Sequence, residues 1–384
     1  MARLRTADLI NLSSLFLMTV LGGLYYGAVP YTQEPFRSQD LSFYLRMAEV
    51  APGIDPLVNQ PFNFRLLGPF LVGLLPVSEP LGFTLLTVFF SACAASLFYY
   101  LLRYLGLSAA VAFVVVTLAL LNRYVFGILL YNNFQLGDAI SLVLLMLLFL
   151  TMWEKRWLSF GVLLALGSLT REVTILMAPV AFVYLLERGE FSASWRRVVT
   201  AVIPGAVIFV ALRVVVPSEG GRSLFEALAA FSYKLYTPES LFRGLVNTFL
   251  PFTLVPLVYL RETVAFFREH KYLIAYLALV YLSTTFGANE ERLVAPAFIV
   301  FFTLLGFILE GVRAKRLTFS VLLAAGFVAS LHHAMGVLLL PDRSWTRSLV
   351  LGLGLGVTLY MFFLRRSERL PGSAAGTPST ARSV

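Results

Sequence analysis

Carboxylates and guanidinium groups recur at the ends of apolar segments in this chain. Asp40 stands in YTQEPFRSQDLSFYLR, Arg65 in FNFRLLGPFL and Asp138 in NNFQLGDAIS. Arg171 and Glu172 are adjacent in GSLTREVTIL, and Arg292 follows two glutamates in ANEERLVAP. A carboxylate within reach of a hydroxyl takes its proton as a bond forms. A guanidinium group pairs with phosphate through two parallel N–H donors. The combination suits a phosphorylated substrate and an acid–base step. Ionisable groups near membrane depth are costly and face a cavity or one another. The same segments add Asn132 and Asn133, then Arg222, Glu226, Lys234 and Arg243 in the loop 218–243, and Asn289, Glu290 and Glu291 before Arg292.

Each of these residues also has a purely structural reading. Asp40, in Ser38-Gln39-Asp40, has the setting of a helix N-cap, and so has Asp138. Arg171 and Glu172 read equally as an ion pair between two short helices. Arg292 has Glu290 and Glu291 beside it at a helix start. Cys93 stands alone, so no intrachain disulfide forms, and His270, His332 and His333 are too scattered to read as a metal site. No cofactor is called for. A divalent metal stays open, because loops bring lone acids together.

The elements that must position these groups are membrane helices. The chain has 384 residues, 59% hydrophobic and 13% charged, unlike a soluble domain. Apolar runs near the ~20 residues needed to cross hydrocarbon recur throughout, which predicts an all-α polytopic membrane protein. The run 7–29 follows Arg3 and Arg5 but is of full spanning length, and reads as a retained first helix rather than a cleaved signal. An outer-surface loop, 30–79, follows, with interfacial helices expected near 38–50 and 64–76. The second, FRLLGPFLVGLLP, is too short to cross. Further crossings are expected near 80–104, 108–130, 138–153, 157–169, 171–187, 196–217, 243–261, 272–287, 292–311, 316–340 and 346–364. With the first helix this makes a bundle of about 10–12 transmembrane helices in one domain, 1–364. The tail 365–384, RRSERLPGSAAGTPSTARSV, is polar and small and reads as disordered.

Charge orients the bundle. With the N-terminus inside, the inner segments hold more than half of the 30 basic residues, mostly in short loops. Both termini are then cytoplasmic, in the plasma (inner) membrane, and the net charge of +9 reflects basic loops rather than a nucleic-acid partner. If 64–76 crossed, every later loop would flip. The same topology puts Asp40, Arg65, Asp138, Arg171, Glu172, Lys234 and Arg292 on the outer side.

An acid after the first helix with a Tyr four residues on (Asp40-Leu-Ser-Phe-Tyr44), the short helix PFNFRLLGPFL, and two spans leading to a second acid in NNFQLGDAISLVLL resemble the GT-C superfamily. Its members are integral-membrane glycosyltransferases that use polyprenyl-phosphate sugars. GSLTREVTILMAPVAFVYLLERG resembles the helix pair that follows, where members carry LTRE- or LTKG-like turns. The resemblance covers roughly residues 7–190. Many members pair two acids where Asp40 stands alone, and this chain shows no large soluble C-terminal domain. The resemblance implies a GT-C-like bundle and an inverting displacement at the anomeric carbon, with lipid phosphate leaving. It implies Asp40 as general base and Asp138 as a second catalytic acid that orients acceptor, sugar or Asp40. Tyr44, Arg65, Asn133, Arg171, Glu172, Lys234 and Arg292 would bind substrate, with Arg292 and Arg171 foremost on the phosphate. The partners implied are a polyprenyl-phosphate sugar donor, a lipid or glycan acceptor and the membrane lipids. A transporter or flippase would instead show repeated halves and helices broken at the midplane; no repeat is visible. A membrane O-acyl or glycan-ligase type of transferase using the same interfacial carboxylates, and a non-catalytic envelope-assembly subunit, are the remaining readings.

Overall fold

Hydrocarbon offers no partner to a backbone N–H or C=O, so each crossing segment must close its own hydrogen bonds as a helix. In a computed structural model, which describes residues 6–29, 40–58, 61–216, 239, 244–284, 290–313, 315–331 and 343–369, the chain follows that rule. It is an all-α polytopic membrane protein, with no strand among the described residues. The helices in chain order are α1 (Thr6–Tyr26), α2 (Asp40–Glu49), α3 (Leu67–Gly73), α4 (Glu79–Tyr104), α5 (Ala109–Leu120), α6 (Ile128–Tyr131), α7 (Leu136–Trp153), α8 (Trp157–Ser168) and α9 (Met177–Glu187). They continue with α10 (Phe191–Val215), α11 (Val255–Val258), α12 (Leu260–Glu269), α13 (Lys271–Ser283), α14 (Glu290–Val294), α15 (Phe298–Gly311), α16 (Lys315–Ser330) and α17 (Arg343–Arg369).

Six of these segments are long and apolar enough to cross a membrane: α1, α4, α7, α10, Glu290–Gly311 and Ser348–Glu368. A seventh arises if α5 and Arg123–Tyr131 count as one crossing, bent by 58°. The other expected crossings are shorter or interrupted where they are described, and 316–340 is described only to residue 331. α8 and α13 are apolar but have only 12 and 13 residues. The crossing expected at 243–261 is instead a 3-10 turn, Asn247–Phe249, and the four-residue α11, with Pro251 between them and Pro256 in the first turn of α11. The break in 108–130 has a visible cause. Asn122 Oδ1 accepts from the backbone N–H groups of Tyr124 and Val125, both at 3.0 Å, and starts a π-helical turn at Arg123–Gly127. Its Nδ2 donates to the carbonyls of Thr248 and Leu250, so one amide stitches two irregular segments together.

The surface helix expected at 64–76 is a 3-10 turn, Phe62–Phe64, followed by the seven-residue α3, far short of a crossing. Gly73 lets α3 lie against α2, where a Cβ would collide with the Ala48 carbonyl. The last helix runs five residues past the expected start of the tail at 365. Arg365 donates to both Glu262 oxygens and to the Val258 carbonyl, and Glu368 accepts from the Arg313 N–H at 2.8 Å, which holds those last turns helical.

Burial separates the pillars of the bundle from its rim. The apolar windows of α7 and Glu290–Gly311 are 72% and 78% buried, against 17% for α1, α10 and Ser348–Glu368. The rim helices turn Leu24, Val214 and Phe363 outward, as lipid contact permits. Asp138 and Arg292 stand at the N-terminal ends of the two central pillars.

Candidate active site

The site is assembled where α7 and α14 begin. Gln135, not Asp138, occupies the N-cap of α7, so the capping reading of Asp138 does not hold. Asp138 lies at the third helical position and is buried, where the helix dipole favours a carboxylate. Its Oδ1 accepts from Arg171 Nη1, and its Oδ2 accepts from Arg292 Nε at 2.9 Å. Both oxygens are committed to guanidinium groups.

Arg171 and Glu172 do not form the mutual pair that their adjacency invites. Arg171 is fully extended, at φ −160° and ψ 145°, so successive side chains leave in opposite directions. Arg171 turns to Asp138. Glu172 accepts from Arg65 Nη2 at 3.1 Å, with Arg213 Nη2 at 3.5 Å on its other oxygen. The turn is set by Gly167, where a Cβ would meet Thr174 Oγ1 at 2.6 Å, and by Thr174 Oγ1 donating to the Arg171 carbonyl.

Arg65 follows the 3-10 turn and is anchored by its neighbours. The Leu67 N–H donates to the Leu169 carbonyl at 3.0 Å, which ties this loop to the end of α8. Arg65 Nη1 donates to the Tyr44 hydroxyl at 3.2 Å. Phe62 stacks on Phe43 and meets Tyr44 edge-on, so α2 and the Arg65 loop share one aromatic seam. Burial alone would lower the Arg65 pKa, but Glu172 first and then Tyr44 raise it above the ordinary arginine value, so the group stays charged. Its Nε is buried and has no acceptor among the described residues.

Asp40 is the first described residue of α2, and Arg292 is its charged partner among the described residues, at 3.5 Å. Its side chain is 43% exposed, against 9% for Asp138. That contrast separates the two acids. Asp138 is enclosed and fully hydrogen-bonded, while Asp40 meets solvent one guanidinium away. Arg292 bridges them.

The structure therefore brings Asp40, Tyr44, Arg65, Asp138, Arg171, Glu172 and Arg292 to one end of the bundle. Asn133 is committed elsewhere: its Nδ2 donates to Thr84 Oγ1 and its carbonyl accepts from Thr87 Oγ1, which anchors the turn before α7 to α4. Lys234, with Arg222, Glu226, Arg243, Asn289, His332 and His333, lies outside the described residues. Glu291 accepts from Asn247 Nδ2 at 2.9 Å. Among the described residues no three of His, Cys, Asp and Glu converge as metal ligands. Arg213 is the member that sequence reasoning missed. It sits at the end of α10, its guanidinium over the rings of Phe64 and Phe209, 5.0 and 3.5 Å from their centres. A lone arginine closing an apolar run was its signal.

The arrangement sets four guanidinium groups against three carboxylates in a mostly buried network. Guanidinium groups outnumber carboxylates within this paired network, although Glu290 and Glu291 are buried on α14 beside Arg292; the guanidinium groups suit an anion and the exposed carboxylate suits proton transfer. Comparison with known proteins agrees with the architecture. The crystal structure of ArnT from Cupriavidus metallidurans bound to undecaprenyl phosphate matches over 94% of this chain and 76% of that one, with a TM-score of 0.51 and 14% identity. At that identity the likeness is one of fold, and the fold is GT-C-like. No curated protein sequence matches. A family model, described as a predicted membrane protein and named DUF2079, matches residues 66–378, most of the chain though not Asp40, Tyr44 or Arg65. On that match the chain belongs to the DUF2079 family of membrane proteins.

Proposed function

We propose that this protein transfers a sugar from a polyprenyl-phosphate donor to a lipid or glycan acceptor at the extracytoplasmic face of the plasma membrane, with both termini in the cytoplasm. The observation that carries the reading is the pairing of a solvent-reachable carboxylate, Asp40, with Arg292, inside a fold like that of a protein crystallised with undecaprenyl phosphate.

An acceptor hydroxyl is a weak nucleophile. Asp40 takes its proton as the oxygen closes on the anomeric carbon. The bond from that carbon to the phosphate oxygen breaks on the opposite face, and the electron pair leaves with the lipid phosphate, inverting the centre. Negative charge grows on the departing phosphate, so fixed cations favour the transition state over the ground state. Arg292 takes this role, with Arg65 behind it. Asp138 and Arg171 act through Arg292 as positioning residues: the buried carboxylate holds the guanidinium beside Asp40. Tyr44 and Glu172 do the same for Arg65.

The test is to incubate the purified protein with a panel of polyprenyl-phosphate sugars and candidate acceptors and measure released polyprenyl phosphate. Release by the wild type, lost in Asp40→Asn with donor binding retained, is the expected result. No release across the panel by folded protein overturns the reading.

A further inference from the structure

A second feature lies at the far end of the bundle, away from the carboxylate–guanidinium network. α9 begins just after Glu172 and ends at Glu187, whose two oxygens accept from the backbone N–H groups of Lys271 and Tyr272, each at 3.0 Å. The start of α13 is therefore one helix length from the site. An open groove of about 570 Å³ runs along α12 and α13, lined by Val264, Phe267, Arg268, Lys271, Ile274 and Leu277. Val264, Phe267 and Arg268 share one face of α12, and Lys271, Ile274 and Leu277 one face of α13; the groove joins the two faces across the non-helical His270. It is apolar at both ends with two cations in its middle. Ile274 is 50% exposed and Val264 39%.

The opposite face of α12 is already occupied. Phe266 is buried against His270 and Phe307, and Glu262 takes both hydrogen bonds from Arg365. Of the nearby carboxylates, Glu187 is held by backbone N–H groups and Glu262 by Arg365, while Glu269 is exposed beside Arg268 but is not among the residues that line the groove. Arg268 and Lys271 are exposed, and neither is in a salt bridge among the described residues.

We infer that this groove binds an anionic membrane glycerophospholipid, its acyl chains along Val264, Phe267, Ile274 and Leu277 and its phosphate between Arg268 and Lys271. The charge pattern selects this occupant. The chain's own tail, 370–384, carries Arg382 and no Asp or Glu, so it would bring a like charge to the cations. A second copy docking face to face would set Arg268 and Lys271 against themselves. A lipid phosphate next to two cations gains about 1 kcal/mol from each, or about thirty-fold in affinity together.

The experiment is native mass spectrometry of the purified full chain in detergent, titrated in parallel with phosphatidylglycerol and phosphatidylcholine. One phosphatidylglycerol is expected to bind about thirty-fold tighter to the wild type than to an Arg268→Gln/Lys271→Gln double variant. Phosphatidylcholine is expected to bind both proteins alike and weakly. Ile274→Trp, which fills the groove without touching its charge, is expected to weaken phosphatidylglycerol binding as well. The inference is overturned if the double variant keeps phosphatidylglycerol at wild-type affinity, or if phosphatidylcholine binds as tightly. It is equally overturned if undecaprenyl phosphate displaces the phospholipid at equal concentration, or if the substitutions change the oligomeric state instead of lipid binding. None of these outcomes depends on the transfer reaction.

Discussion

Where α7 and α14 begin, Asp138 lies between Arg171 and Arg292, Arg292 reaches on to Asp40, and Glu172 lies between Arg65 and Arg213. Where α1 begins and α15 ends, charge is handled in separate small units. Asp8 accepts from the Tyr99 hydroxyl at 2.7 Å and from Arg103 Nε at 2.9 Å, which closes α1 onto α4. Glu310 accepts from the Ser108 N–H and hydroxyl and from Lys315, joining α5 to α15 and α16. Lys155 pairs with Glu190 across the α7–α8 and α9–α10 turns. In each unit of that second end the partners satisfy one another and fasten neighbouring helices. At the first end the carboxylates are shared among guanidinium groups from several segments, and Asp40, at 43% against 33% for Glu172 and 9% for Asp138, is the most exposed of the three. A fastening needs no carboxylate shared among guanidinium groups from distant segments and no guanidinium group linking a buried acid to an exposed one. A reaction that moves a proton and expels an anion uses both.

Substitutions probe this difference. The largest effect belongs to Asp138→Ala, which leaves Arg171 and Arg292 buried, facing each other without their shared anion. Stability should fall by about 3–5 kcal/mol, read by thermal unfolding in detergent, and turnover should vanish with it. Asp40→Asn should lower turnover about 10²–10⁴-fold. The unfolding temperature should hardly move, because a single exposed pair contributes about 0–1 kcal/mol. Asp8→Asn is the matching change at the other end. It should cost about 1–3 kcal/mol of stability, through loss of the charged acceptor for Tyr99 and Arg103, with transfer per folded molecule unchanged. Lys155→Gln should be the mildest, below about 1 kcal/mol and silent in turnover. A turnover loss in Asp8→Asn to match that of Asp40→Asn would erase the distinction between the two ends.

Much of the scaffold was legible before any coordinates, for a reason that belongs to the bilayer. Spanning helices need long apolar runs, and those runs appear in the sequence at α1, α4, α7 and α10. The stretch FRLLGPFLVGLLP is too short for a crossing whatever surrounds it, and α3 has seven residues. Counting the expected crossings in order put Asp40, Arg65, Asp138, Arg171, Glu172 and Arg292 on one side, and the structure gathers them at one end, although that count included 243–261, which the structure breaks into short turns. Interrupted segments were less legible. At 108–130 and 243–261 hydropathy stays high across the breaks, and nothing in an apolar average registers that Asn122 has turned its side chain onto two nearby backbones.

What the sequence by itself determined is membership of a helical membrane class, the placing of the longest crossings, and which polar groups share an end of the bundle. These follow from local quantities: apolar length, charge between runs, and alternation of sides. Tertiary structure alone decided who pairs with whom. Neighbours such as Arg171 and Glu172 part because one extended residue sends them to different helices. Asp138 is captured by arginines 33 and 154 positions away, and Arg213 enters from the end of a rim helix. Pairing in a buried network depends on which side chains packing brings within about 3 Å, and no local pattern along the chain encodes that distance.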